Sequence, residues 1–152
     1  MDIHVFFTEL DALFKKMEYE TASLKGEEIQ LGDTLRVMLP IDEAGNKVLM
    51  EIMAMSYTDD AILVQIYSTM IAEIGPGYEA LKEMLLDWNL TCPLGAFGIY
   101  RQGRQFYHKY NYTLPTDGDP KEMAMEVFYI IHLIQDVIGR YFPDIVRLSG
   151  NL

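Results

Sequence analysis

The chain is 152 residues long and half hydrophobic, enough for one domain with a core that needs neither a disulfide nor a metal to hold it. A formal net charge of −11 argues against nucleic acid or an anionic membrane surface as a partner. Cys92, the single cysteine, excludes an intramolecular disulfide. MDIHVFFTEL has no basic segment ahead of Glu9, unlike a signal peptide, and the greasiest run, Val127 to Ile138, is broken by His132, Gln135 and Asp136. The expectation is a soluble, cytoplasmic protein with no membrane span.

In chain order, Ile3, Phe6, Leu10, Leu13, Phe14 and Met17 recur at helical spacing and predict an amphipathic first helix ending near Tyr19 to Ser23, ahead of Gly26. Three strand-like runs follow, Glu28 to Leu39, Lys47 to Ser56 and Ala61 to Ile71, joined by turn chemistry at residues 42–46 and 58–60. In the first, Ile29, Leu31, Leu35, Val37 and Leu39 share a face. In the third, Ile62, Val64 and Ile66 oppose Gln65, Tyr67 and Thr69. The second run is apolar on both faces, Met50 and Ile52 against Leu49, Met53 and Met55, so it is either central or carries a second buried surface.

Gly75-Pro76-Gly77 ends the sheet, and Pro76 suits the first turn of a helix that buries Leu81, Leu85 and Trp88 and ends near Asn89. Cys92, before Pro93, is pushed towards an extended backbone. A hairpin follows, centred on Gln102-Gly103 and fenced by Pro93 and Pro115, with the glycine as the source of positive φ. It is also the one locally basic stretch, through Arg101, Arg104 and Lys109. Asp119-Pro120-Lys121-Glu122 is a capping box that starts a third helix running to about Tyr141, before Pro143. Its stripe of Val127, Ile130, Ile131, Ile134, Val137, Ile138 and Tyr141 is widened by Met125, Phe128 and Leu133, a surplus that reads as core or as a subunit interface. The order α-β-β-β-α-β-β-α predicts one α+β domain over residues 1–152, an antiparallel sheet with helices packed on it.

Asn89, Pro93, Gly95 and Phe97, followed by Gly103-Arg104, Tyr107 and Leu114-Pro115, resemble the pattern of YbjN-type domains, which share their α/β fold with type III secretion chaperones. The element order is similar as well, although Cys92 and the aromatic exit strand through Tyr107, Tyr110 and Tyr112 depart from the pattern. The resemblance implies a secretion chaperone-like fold, homodimerisation and an extended protein segment as partner. It implies no catalytic residue and no cofactor.

If the hairpin turn has two residues, Gly98 lies opposite Tyr107, Ala96 opposite Lys109 and Phe97 opposite His108; a three-residue loop that changes the pairing is the alternative. Phe97, Ile99, Phe106, His108 and Tyr110 then face the core. Tyr100, Tyr107 and Lys109 face outward, either as a platform for a peptide or, for a tyrosine, as cover for a strand glycine. Met38, Met50, Met53, Met55 and Met70 fall on the first sheet, where flexible thioethers suit either an adaptable binding surface or core filling. The candidate binding residues are therefore Met53, Met55, Tyr67, Tyr100, Tyr107 and Lys109, and the candidate dimer residues Met125, Phe128 and Leu133.

Cys92 reads as a buried structural thiol, His132 and Asp136 as a surface i,i+4 pair, and Asp59-Asp60 and Glu27-Glu28 as solvated acids. Asp117-Gly118-Asp119 resembles a calcium loop but lacks its ligand alternation, and the three histidines, His4, His108 and His132, have no metal-ligand spacing, so no metal is expected. Glu51, inside the doubly apolar run, is either a paired or protonated buried acid or exposed at an edge or bulge. Two functions follow: a non-enzymatic protein- or peptide-binding module acting as a homodimer, or a small-ligand or enzymatic cleft using Glu51, His108 or His132. The second requires two of those groups within hydrogen-bond reach.

Overall fold

A computed structural model describes residues 1–25 and 32–151. The expected positions Gly26, Glu27, Glu28, Ile29 and Leu31 lie outside the described residues. Among the described residues, three helices and six strands follow in the order α1 (Ile3–Lys16), β1 (Thr21–Leu24), β2 (Thr34–Pro40), β3 (Lys47–Ser56), β4 (Ala61–Ile71), α2 (Tyr78–Thr91), β5 (Ala96–Tyr100), β6 (Gln105–Pro115) and α3 (Pro120–Ser149). The strands form one antiparallel sheet ordered β1-β2-β3-β4-β6-β5. The fold class is α+β with an antiparallel sheet, and the expected order lacked one strand, β1.

That strand stands where the sequence predicts a fading helix end. Asp2 caps α1, its carboxylate accepting from the Val5 amide at 3.1 Å, and the helix stops when Glu18 takes a left-handed φ of 61°. Met17 is consequently the cap residue and exposed rather than part of the buried stripe. The chain then pairs Thr21 with Val37 and Leu24 with Thr34. Four half-polar residues make too short a run for alternation to announce them.

Burial alternates across the sheet with period two. Leu35, Val37 and Leu39 of β2, Val48, Met50, Ile52 and Ala54 of β3, and Ile62, Val64 and Ile66 of β4 are buried beneath the helices, while their neighbours are mostly half-exposed on the other side. Strand β3 lies between β2 and β4, and its two apolar faces are explained by that central place and by the half-exposed Leu49, Met53 and Met55 on the side without helices. The five sheet methionines divide accordingly: Met50 and Met70 are core, whereas Met38, Met53 and Met55 face away from it.

Helix α3 begins as expected, with Asp119 accepting from the Glu122 amide at 2.9 Å and proline in its first turn. It does not stop before Pro143 but continues to Ser149. Carrying Pro143 inside the helix costs one backbone hydrogen bond and a steric adjustment; the extra turns offset this by burying Ile145 and docking the helix end on the β4–α2 connection. There Ser149 O accepts from Gly77 N at 3.0 Å and the Asn151 side chain binds Gly75 N and Glu73 O at 2.7 and 2.8 Å. A Cβ at Gly77 would lie 1.6 Å from Leu148 O, so only glycine permits the approach. Gly77 is the residue capping α2, which places Pro76 just before the helix instead of in its first turn.

The hairpin pairs as counted for a short turn, Gly98 with Tyr107, Phe97 with His108 and Ala96 with Lys109. Pairing nevertheless ends at Tyr100 and Gln105, leaving residues 101–104 as the loop. Arg104, with φ 51°, supplies the left-handed residue expected at Gly103. Arg104 is held there by Ile74 O at 3.2 Å from Nε, Gly75 O at 2.9 Å from Nη2, and the Tyr78 ring 4.7 Å below its guanidinium.

Candidate functional site

Helices cover one face of the sheet, and strand register sets what the other face displays. One row across the strands runs Ala22, Arg36, Glu51, Tyr67, Lys109, Ala96; the next runs Met38, Leu49, Thr69, Tyr107, Gly98; on the opposite side lies Leu24, Thr34, Met53, Gln65, Asn111. A cleft of about 470 Å³ crosses this face, with Met53, Tyr67 and Tyr100 as its large side chains and Arg36, Glu51, Gln65 and Gln105 as polar groups.

Of the expected binding residues, Met53, Tyr67 and Tyr100 line the cleft. Tyr100 is 53% exposed at the end of β5. Tyr107 stacks on Tyr67 with ring centroids 4.9 Å apart and covers Gly98, where a Cβ would lie 2.4 Å from its hydroxyl. It therefore acts as the glycine cover and supports the cleft from beneath its aromatic wall. Lys109 is exposed on the same face beside Tyr67, and Met55 sits one row beyond, opposite Leu63. The Tyr67 hydroxyl donates to Gln105 Oε1, and its pKa is pushed up to about 12, first by burial and then by the fields of Tyr107, Glu51 and Tyr100. Arg36, Gln65 and Gln105 are additions that sequence reading missed: each is an ordinary polar residue at an alternate strand position, and only cross-strand register joins them.

Glu51 is neither buried alone nor at an edge. It stands on the central strand of the open face and accepts from Arg36 Nε at 3.0 Å. His108 lies on the opposite face, fully buried; its Nε2–H donates to Leu94 O at 2.6 Å, which leaves Nδ1 as the unprotonated nitrogen. Among the described residues neither His108 Nδ1 nor Ser68 Oγ, on register-paired residues, has a hydrogen-bond partner. Cys92 Sγ is 3.9 Å from Nε2 but points its hydrogen at the same Leu94 oxygen, 3.2 Å away. Burial pushes the thiol pKa up and the imidazole pKa down, opposite to what a thiolate–imidazolium pair needs.

His132, on α3, donates from Nδ1–H to Phe128 O at 2.9 Å, and the expected partner Asp136 pairs instead with Arg140 at 2.5 Å. Glu51, His108 and His132 thus occupy three separate surroundings: open face, core and helix layer. Among the described residues no group of three acids, histidines or cysteines is placed to hold a metal ion.

The motif residues have structural work of their own. The Asn89 carboxamide binds both edge groups of Phe97, accepting from its N–H at 2.7 Å and donating to its C=O at 3.0 Å, and so occupies β5 where another strand would pair. Gly95 has φ 73° and a Cβ there would come within 2.4 Å of Lys109 O. Of the expected interface residues, Met125 and Leu133 are 56% and 40% exposed on α3, with Tyr129 between them. Phe128 turns inward, its ring 5.3 Å from Phe14 and 4.4 Å from His132.

Among the described residues no helix is long and apolar enough to cross a membrane. No protein-family model matches the chain, and no curated protein matches it in sequence.

Proposed function

We propose that this chain is a non-enzymatic protein- or peptide-binding module, chaperone-like or regulatory, that acts in the cytoplasm as a homodimer with a YbjN-type, secretion chaperone-like fold. The observation that carries the reading is the helix-free face, where the half-exposed side chains Met38, Leu49, Met53, Met55 and Leu63 lie beside the Tyr67–Tyr107 stack in one continuous sheet surface. Unbranched thioethers and amphipathic rings suit a segment whose side chains vary. The exposed line Met125, Tyr129, Leu133 on α3 suits a second copy, away from that face.

The test is light scattering in line with size exclusion, then native mass spectrometry of the same peak. The expected result is a dimer, reduced to a monomer by Met125→Glu with Leu133→Glu, that holds polypeptide on wild type and loses it with Tyr67→Ala and Met53→Ala. A monomer carrying a small molecule refutes the reading.

A further inference from the structure

The helix-free face differs in charge from the rest of the molecule. Within its strands it presents Arg36, Lys47 and Lys109 against the single carboxylate Glu51, on a chain of net charge −11. Glu51 is already engaged by Arg36 Nε at 3.0 Å, and Glu20, ahead of β1, reaches Lys47 at 3.9 Å. Among the described residues of these strands, the charge left without a counter-ion on this face is therefore cationic. Lys109 is exposed, and Arg36 spends only Nε on Glu51, so its two terminal nitrogens have no partner among the described residues and remain for the cleft it lines. A guanidinium edge of that kind matches a carboxylate in shape as well as sign.

We infer that the cleft takes an internal aspartate or glutamate side chain of an extended, otherwise apolar protein segment, with Arg36 as the carboxylate receptor, Lys109 as a second cation and Met53, Tyr67 and Tyr100 as the apolar walls. This rests on the binding-module reading above and narrows it to one class of partner. The cleft crosses from Thr34 on β2 to Tyr100 on β5, four strand spacings or about 19 Å, which an extended chain covers in about six residues. A segment lying across the face fits this span, and Asn89 on the Phe97 edge disfavours strand addition at β5. The charge of the whole chain does not forbid an acidic partner, because at physiological salt it is screened beyond about 8 Å.

The experiment is fluorescence anisotropy with labelled, amide-capped peptides of equal length in which leucine alternates with aspartate, asparagine or lysine. The aspartate peptide is expected to bind about tenfold or more tighter than the asparagine one. Arg36→Gln is expected to erase that preference while circular dichroism shows an unchanged fold, and Lys109→Gln to weaken it and flatten its salt dependence. Equal or tighter binding of the asparagine or lysine peptide overturns the charge inference and leaves the binding module standing. Binding only of a peptide with a free C-terminal carboxylate overturns the assignment to an internal side chain. Failure of all peptides overturns both readings.

Discussion

Replacing Asn89 by alanine removes two hydrogen bonds, 2.7 Å and 3.0 Å long, that close the outer edge of β5 at Phe97. A typical intramolecular hydrogen bond contributes a net of about 0.5–1.5 kcal/mol. Asn89 itself stands in solvent, so water recovers part of the loss and the lower half of that range applies to each bond. Alanine also raises the helix propensity of this position in α2 by about 0.5 kcal/mol, which offsets some of the cost. The expected net loss is about 1 kcal/mol, or about 2–4 °C in Tm for a chain of this size. Thermal melts followed by circular dichroism measure it, and hydrogen exchange at the Phe97 amide localises it, since that N–H loses its acceptor. Asn89→Asp keeps the acceptor but sets a carboxylate against Phe97 O, so its loss should shrink at acid pH as the introduced carboxyl gains a proton to donate. An unchanged Tm together with unchanged Phe97 exchange in the alanine variant refutes the edge-closing role.

Gly77→Ala should cost about 1–3 kcal/mol or more, read as a Tm loss of several degrees, because its Cβ would meet the Leu148 carbonyl at 1.6 Å; a Tm equal to wild type contradicts the docking described for α3. His108 is buried with its pKa held below the usual 6.5, so above that pH it is neutral in both states and its contribution is intact, whereas on acidification the unfolded chain takes up the proton first. Stability should therefore fall from pH 6.5 down to the folded-state pKa, in urea melts, and His108→Gln, which can still donate to Leu94 O, should flatten that slope. Tyr107→Ala removes a stacked pair that contributes about 0.5–1.5 kcal/mol. It should also bring the Tyr67 pKa down from about 12 towards 10, so that ultraviolet titration finds one fewer late-ionising tyrosine beside Tyr112, also near 12; no change in the titration would show that Tyr107 does not shape the Tyr67 environment.

The elements legible in the sequence are those whose periodicity is long or whose cap is local. The spans of β3 and β4 coincide with their hydrophobic runs, and Asp119-Pro120 marks the start of α3 because its capping contacts lie within three residues. What was not legible depends on contacts far apart in the chain. Pro143 argues locally for a helix end, and only the docking of Ser149 and Asn151 on residues 73–77 explains why α3 passes it. Glu18 and Arg104 take left-handed conformations that sequence rules assign to glycine; Arg104 is kept there by carbonyls of residues 74 and 75, thirty positions away. For the cleft, the sequence supplies the aromatic and methionine walls but not Arg36, Gln65 or Gln105, since the pairing of Arg36 with Glu51 is a property of β2–β3 register.

The motif residues and the cleft are separate sets joined by the β5–β6 arm. Asn89 fixes Phe97 from α2, Gly95 lets the β5 entry close over Lys109 O and His108, and Arg104 ties the loop to the β4–α2 connection. None of the three lines the cleft, yet β5 carries Tyr100, one of its walls, and β6 carries Lys109 and the Tyr107 that supports Tyr67. On the binding-module reading, removing Asn89 should therefore disturb peptide affinity as well as stability, and in a graded way, because the outer wall loosens while Arg36, Met53 and Tyr67 stay on the strands β2, β3 and β4. On the same reading, motif residues that determine the position of a binding wall without touching the partner leave recognition to the residues of the open face.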